Sequence, residues 1–538
     1  MQWDYDFIVI GSGFGGSVSA MRLTEKGYSV GILERGRRFG PKDYAKTNWD
    51  LRKYLWFPLM RCFGIQNMSL FRNILILSGT GVGGGSLVYA NTLLKPGESF
   101  FKSRVWAHLA DWHKELDSHY ETAKKMLGVV ENPHLNFVDD LMHDAAKSMG
   151  RGDTFRPAQV AVFFGEPGKE VPDPYFGGKG PARSGCNHCG GCMVGCRFGA
   201  KNTLDKNYLY FAEKNGAQVF PETNVLNIRP VHENGKTVGY EIETGSSTSW
   251  FGTLFGNKNQ RVFRARKIVM AAGVLGTVRL LLKCRDVTRS LPDLSPTLGC
   301  TVRTNSESII GVTEIAPKPE HDYSKGIAIS SIFHPDDHTH VEPVRYSQGS
   351  SFMRVLAGPL VDGGHPLVKP FVALWTLVKN PIQTVRLYMN TKWSESTVIL
   401  LVMQTLDNHM QFKLGRSLFT GFKKGLVTAE EPGATPIPSY IPVAHQVARH
   451  VAAKVGGVPQ GAINETIFGI PTTAHILGGC RIGGDRQSGV IDINHEVFGY
   501  PGMYVCDGSA IPDNLGVNPS LTITAMTERA MSRISAQV

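Results

Sequence analysis

Apolar positions fall in short runs separated by glycine-rich breaks, and the pattern is clearest at the start of the chain. "DFIVI" (6–10) is a continuous apolar stretch of strand length, and "GSGFGG" interrupts it. "SVSAMRLTEKG" then spaces its apolar residues as a helix does, and "YSVGILE" is a second strand-like run. The order predicts strand, glycine turn, helix, strand. Gly11, Gly13 and Gly16 permit a tight turn, close approach of backbone to a pyrophosphate and close helix–strand packing, with the phosphate at the helix N-terminus. Glu34 ends the second strand about 20 residues on, where such units hold a ribose 2′-hydroxyl. The context on both sides of the turn predicts a dinucleotide site.

Three later segments extend the picture. "SGTGVGGGSLVYAN" (78–91) is a second glycine run, too far downstream to share the first turn. Consecutive glycines let backbone N–H groups surround an anion or lie flat under a ring. "ARKIVMAAGVLGTVRLLL" (265–282) predicts a buried strand ending at Gly273 and then a helix. "GMYVCDGSAIPDNLGVNPSLTITAMTERAM" (502–531) predicts a strand, an Asp-Gly pair, a loop containing Asn518 and Pro519, and a helix. With no internal repeat or long low-complexity tract, the chain reads as a dinucleotide domain in pieces, and the insertions between them form a second domain.

Length and composition limit the alternatives. A chain of 538 residues with 42% hydrophobic and 19% charged residues is a globular protein of two or more domains. Its net charge of +11 is compatible with nucleic acid or an anionic membrane, but nothing besides charge supports nucleic acid. The first residues run into a buried strand with no basic, apolar and cleavage regions in series, so the expectation is no secretory signal and a cytoplasmic protein. No apolar stretch approaches the roughly 18 to 20 residues that span a bilayer. Any membrane contact is therefore peripheral. "WDLRKYLWFPLMRCF" (49–63) and "PLVKPFVALWTLVKNPIQTVRLYM" (366–389) mix Trp and bulky apolar residues with Lys and Arg, as interfacial segments do. Ordinary lids over the second domain are the plainer reading, and both can hold.

Nine cysteines, an odd number, argue against a disulfide framework. Four lie in "SGCNHCGGCMVGCRFGA" (184–200): Cys186, Cys189, Cys192 and Cys196, spaced C-x2-C-x2-C-x3-C. That is the run bacterial ferredoxins use for an iron–sulfur cluster, with Arg197 where they have proline. The loop is compact for tetrahedral zinc, which usually draws its ligands from two separated knuckles. An iron–sulfur cluster and a metal-free thiol loop remain open as alternatives.

Taken in order, "GTGVGGGSLV", "VMAAGVLGT", "AHILGGCRIG" (474–483) and "GVNPSLTITAMTERAM" (516–531) resemble the glucose–methanol–choline (GMC) flavoprotein oxidoreductases, and within them the cholesterol oxidase branch. The resemblance implies an α/β FAD-binding Rossmann-like domain with a discontinuous α+β substrate domain built on a mostly antiparallel sheet. The expected boundaries are 1–48, 78–98, 205–300 and 466–538 for the FAD domain. Residues 49–77, 99–204 and 301–465 then form the substrate domain and lids, including the cysteine-rich loop 184–198.

The implied cofactor is FAD, bound non-covalently, since no His matches the position used for covalent attachment. Gly83, Gly84, Gly85, Ser86 and Asn91 would follow its pyrophosphate, ribityl chain and ring. Phe14, Glu34, Val225, Gly273, Asp507, Gly508, Asn518 and Pro519 would contact it elsewhere. His475 and Asn518 match the family's catalytic pair, which holds the substrate hydroxyl and directs its C–H bond at flavin N5. Glu342, in "HTHVEPVRY", aligns with the carboxylate that moves the C4 proton when a Δ5-3-ketone becomes the Δ4-3-ketone. The plainer reading makes Glu342 an exposed strand carboxylate near Arg345, and His334, His338 and His340 loop or strand-edge histidines.

Three functions follow. The first is oxidation of a 3β-hydroxysteroid, with or without isomerisation, and reoxidation by O2. The second is dehydrogenation of a long-chain or other lipophilic alcohol, with electrons leaving through a cluster at Cys186 to Cys196 for a quinone or protein acceptor. The third is a flavin-bound lyase or binding protein without net redox chemistry, which an intact His475 and Asn518 oppose.

Overall fold

The computed structural model describes residues 2–249, 261–364, 368–379 and 381–537. Two sheets organise it. The first has seven strands, in the order Gln218–Phe220, Val30–Leu33, Tyr5–Ile10, Arg261–Met270, Lys236–Ser246 and Thr223–Glu233, with Met503–Val505 paired to the end of Arg261–Met270. The strands around Tyr5–Ile10 run parallel, and the Thr223–Ser246 hairpin adds an antiparallel edge.

The initial unit forms as its pattern predicts. Tyr5–Ile10 becomes fully buried towards its C-terminal end, a glycine turn follows, and Phe14–Glu25 is the helix. Gly11 has φ +103°, and a Cβ there would lie 2.2 Å from the Ala271 carbonyl oxygen, so the turn requires glycine. A Cβ on Gly16 would lie 2.0 Å from the Gly11 oxygen, which is the close helix–strand packing expected. Gly273–Asp286 and Ser520–Ser532 are the helices following the other two predicted strands.

The second sheet is antiparallel throughout, in the order Thr339–Val344, Thr397–Gln404, Ser308–Glu314, Gly457–Ala462 and Ala357–Pro359. The helix Pro442–Val455 covers it, with Ala444, Val447, Ala448 and Val451 buried against Ile310, Val312 and Val398. Thr339–Val344 is an edge strand, which is where Pro343 can sit without costing a ladder bond. All six of its residues are buried, so no alternation marks an inward and an outward face.

Of the two segments rich in Trp, 49–63 forms a short helix and hairpin, and 366–389 forms the helices Lys369–Lys379 and Pro381–Tyr388. Positions 366, 367 and 380 of the latter, and 250–260 of the first domain's expected range, lie outside the described residues. Among the described residues no helix is long and apolar enough to cross a membrane.

Candidate active site

A cavity of about 680 Å³ runs between the two sheets. Gly11, Gly13, Phe14, Glu34, Gly84, Gly85, Val225, Gly273, Asp507 and Gly508 line it, and so do His475, Asn518 and Pro519. Several walls are shaped by missing side chains. A Cβ on Gly273 would meet no atom within 4 Å, one on Gly85 only Phe14 at 3.7 Å, and one on Gly13 only Gly84 at 3.9 Å. These walls accept a flat or extended group against bare backbone, which fits a dinucleotide. Buried Thr92 Oγ1 and Asn518 Oδ1 have no protein partner, and both residues line the same cavity.

The remaining glycine-run residues act behind the wall. Ser86 Oγ donates to the Gly83 carbonyl at 2.7 Å and accepts from the Leu204 amide at 3.1 Å. The Gly83 amide donates to Ser12 Oγ at 3.1 Å, which ties the two glycine turns together. Asn91 is fully buried with φ +72°. Glu34 closes the first turn through both oxygens: Oε2 accepts from Ser12 Oγ at 2.7 Å and Oε1 from the Gly36 amide at 2.8 Å. Arg35 and Arg279 also line the cavity, and neither was singled out by the motif. Burial and the Arg279 charge push the Arg35 guanidinium down to about 10, against the pull of Glu34. Two cations in one groove suit a diphosphate.

The far end of the cavity is apolar. Ile309, Val344, Ile399 and Leu401 come from the antiparallel sheet, and Ile329, Tyr346 and Met353 from its connections. His475 and Asn518 sit in the same wall, each positioned by one segment. Asn305 and Ser306 both adopt left-handed backbone, φ +60° and +48°. Asn305 Oδ1 accepts from the Leu515 and Gly516 amides at 2.9 and 2.8 Å, and its Nδ2 donates to the Val517 carbonyl at 2.9 Å. That clamp fixes the loop carrying Asn518.

The next residue, Glu307, is fully shielded and contacts His475 Nδ1 through Oε1. Its Oε2 accepts from the Ala474 amide at 2.6 Å. Burial alone would lower the His475 pKa, but the Glu307 charge and hydrogen bond, with Glu342 further off, outweigh it, and the pKa is raised. Glu307 escaped the sequence reading because a lone Glu in "TNSESII" carries no motif. Only the two left-handed residues before it turn it back to His475.

Glu342 is 0% exposed and does not line the cavity. It stands behind Asn518, whose Nδ2 donates to Oε2 at 3.2 Å. On its other side His340 Nε2 lies 2.9 Å from Oε1. The reading of Glu342 as an exposed carboxylate near Arg345 is therefore wrong. Arg345 is itself buried and donates to the Lys325 carbonyl and Ser330 Oγ. His340 lies on that edge strand but is buried: it is 2% exposed, its ring centroid 4.9 Å from that of His334.

Cys186, Cys189, Cys192 and Cys196 line a separate cavity of about 230 Å³ beside buried Lys201. Among the described residues, however, no three His, Cys, Asp or Glu side chains come together as ligands of one ion. The arrangement therefore lends no support to a metal set at these cysteines. The loop turns left-handed at His188, Gly190 and Gly195, and backbone bonds of 2.8 Å zip it to Gly326. All nine cysteines are free. Burial and the neighbouring thiols push Cys186 up to about 12, and burial raises Cys189 and Cys192, which keeps these thiols protonated.

Comparison with known proteins agrees with this architecture. GMC oxidoreductase family profiles match residues 181–284 and 442–527, and an NAD(P)-binding Rossmann-like profile matches 9–52. A cholesterol oxidase of Mycobacterium tuberculosis is 50% identical over 546 residues, covering 99% of this chain and 91% of that protein. A cholesterol oxidase of Acinetobacter baumannii is 46% identical, covering 100% and 95%. The crystal structure of pyridoxine 4-oxidase from Mesorbium loti superposes with a TM-score of 0.61 at 14% identity, covering 98% of both chains, and shares the fold.

Proposed function

This chain belongs to the GMC oxidoreductases, FAD-dependent enzymes that oxidise alcohols, and from that premise we propose that its substrate is the 3β-hydroxyl of a cholesterol-type sterol, with O2 as electron acceptor. The observation that carries the reading is the single cavity, glycine-walled over one part and apolar over the other, with His475 and Asn518 in its wall. The two cholesterol oxidases identical to it at 50% and 46% over nearly the whole chain support the choice of alcohol.

Gly11, Gly13, Glu34, Gly84 and Gly85, which line the cavity, would hold FAD, and FAD would supply the hydride acceptor. Glu307 holds Nδ1 of His475, which leaves Nε2 to take the hydroxyl proton as the carbon-bound hydrogen departs with its electron pair. Asn518 is oriented by Glu342, whose carboxylate requires a donor and so receives Nδ2. Its Oδ1 is then left without a protein partner in the cavity wall. For a Δ5-sterol, Glu342 is the candidate C4 base, and its carboxylate must turn past Asn518 to reach the cavity.

The domain division at 1–48, 78–98, 205–300 and 466–538 against the rest is supported by the sheets. Six strands of the seven-stranded sheet lie between 5 and 270 and the seventh at 503–505, whereas all five of the antiparallel sheet lie within 301–465. Membrane contact is supported by the helix Lys369–Lys379, where Phe371, Leu374, Trp375 and Val378 share one face and are 73, 59, 67 and 60% exposed. Ile382, Val385 and Met389 continue the exposed apolar surface, with Lys379 and Arg386 among them.

The test is His475→Ala under single-turnover conditions. Flavin should remain bound while its reduction by the sterol slows on the order of 100-fold to 10,000-fold. Near-normal reduction sinks the assignment of His475.

A further inference from the structure

We propose that Glu307 is a positioning residue for the oxidation, fixing His475 as the tautomer with its proton on Nδ1. The inference rests on His475 as the base, and it concerns a residue that no motif carries. Three observations support it. Glu307 is fully shielded, and each of its oxygens has a dedicated donor, His475 Nδ1 on one and the Ala474 amide on the other. A second anchor, the His475 amide donating to Thr473 Oγ1 at 2.9 Å, holds the same backbone. The segment that turns Glu307 inward also clamps the loop of Asn518, so base and partner share one support.

Each Glu307 oxygen accepts from its own donor, and an acceptor committed to Nδ1 determines the state of Nε2. With Nδ1–H committed to Glu307, neutral His475 presents a lone pair at Nε2. The opposite tautomer would present a hydrogen to the hydroxyl and could not take its proton. The Glu307 charge stabilises the imidazolium that forms when the proton arrives.

Other groups near this pair titrate or carry charge. Glu342, with His340 behind it, acts on His475 from the edge strand. Glu465 lies beyond Ser308, at 3.1 Å from its hydroxyl, and burial pushes it up to about 7, with Lys369 opposing. Because Glu465 titrates near neutrality, it needs its own control.

The experiment measures the pH dependence of sterol-driven flavin reduction in the holoenzyme, for wild type, Glu307→Gln, Glu307→Asp and Glu465→Gln. Reduction requires neutral His475, so the wild-type rate falls as pH drops through the raised pKa. In Glu307→Gln the charge is gone, so the acid limb should move down by about 1 to 3 pH units. Its plateau should fall as well, because one amide oxygen cannot serve both Nδ1–H and the Ala474 amide. Glu307→Asp keeps the charge and should keep the limb within about half a unit, with a lower plateau. Glu465→Gln should leave the limb in place.

A lower plateau with an unmoved limb in Glu307→Gln, or a limb that follows Glu465, overturns the proposal. If the Glu307 variants fail to fold, histidine nitrogen NMR of the wild-type holoenzyme decides. Nδ1 of His475 should stay protonated across the range while Nε2 titrates, and the reverse overturns the proposal. Loss of effect in His475→Ala would instead indict the base itself, which separates the two failures.

Discussion

Glu342→Gln removes a charge from a site in which both carboxylate oxygens are engaged, and the structure fixes what must follow. Glu342 accepts from His340 Nε2 at 2.9 Å and from Asn518 Nδ2 at 3.2 Å, with no exposure to solvent. Glutamine offers one acceptor and one donor, so one of these two partners is left facing a donor. If Asn518 flips to present Oδ1, its Nδ2 takes the place of the oxygen now aimed away from Glu342. If His340 changes tautomer, its buried Nδ1, which has no partner, acquires a hydrogen with no acceptor. Either adjustment costs about 1 to 3 kcal/mol, the usual penalty for a buried polar group left unmatched.

Applied in full to the transition state for oxidation, that penalty corresponds to roughly 5-fold to 150-fold, at 1.36 kcal/mol per factor of ten. Flavin reduction should fall within that range. Proton movement from C4 needs a base, which the amide cannot be, so isomerisation should fall on the order of 100-fold to 10,000-fold beyond it. With a Δ5-3β-hydroxysterol, flavin bleaching reports oxidation and ultraviolet absorbance of the conjugated enone reports isomerisation. Enone formation that keeps pace with oxidation in the variant refutes the reasoning, because it requires a base other than Glu342.

Two further substitutions test the cofactor turn and the exposed helices. Gly11→Ala places a Cβ 2.2 Å from the Ala271 oxygen at φ +103°, so it should cost about 2 to 5 kcal/mol through left-handed strain and overpacking and lower the flavin content of purified protein; full flavin and an unchanged melting temperature would contradict this. Phe371→Asp with Trp375→Asp removes two side chains that are 73 and 67% exposed. At about 1.5 to 3 kcal/mol each on full burial, cosedimentation with anionic vesicles should drop 100-fold or more while turnover of detergent-dispersed sterol persists, and unchanged vesicle binding would show that this face does not meet the bilayer.

What the sequence made legible was local. The first turn could be read because Gly16 packs on Gly11 within a strand–turn–helix–strand unit that the chain carries unbroken, although the contact that demands glycine at 11 comes from the distant Ala271. His475 and Asn518 were legible through ordered motifs. Glu307 was not, since its meeting with His475 depends on left-handed backbone at Asn305 and Ser306 and closes a loop of 168 residues. Glu342 and His340 were ambiguous because Thr339–Val344 is covered on both faces, which erases the alternation that separates inward from outward positions. At Cys186 to Cys196 the spacing suggested ligands, but spacing does not report side-chain direction, and the loop's path depends on bonds to the distant Gly326.

The central claim, that this cavity oxidises a sterol 3β-hydroxyl, is tested most directly by mixing the oxidised wild-type enzyme anaerobically with a 3β-hydroxysterol, its 3α epimer and a long-chain primary alcohol, and following flavin absorbance. The account predicts complete bleaching by the 3β-sterol at a rate well above that of the other two, with one ketone formed per flavin. Bleaching by the primary alcohol that matches or exceeds that of the sterol, or no bleaching by the sterol at all, would contradict it.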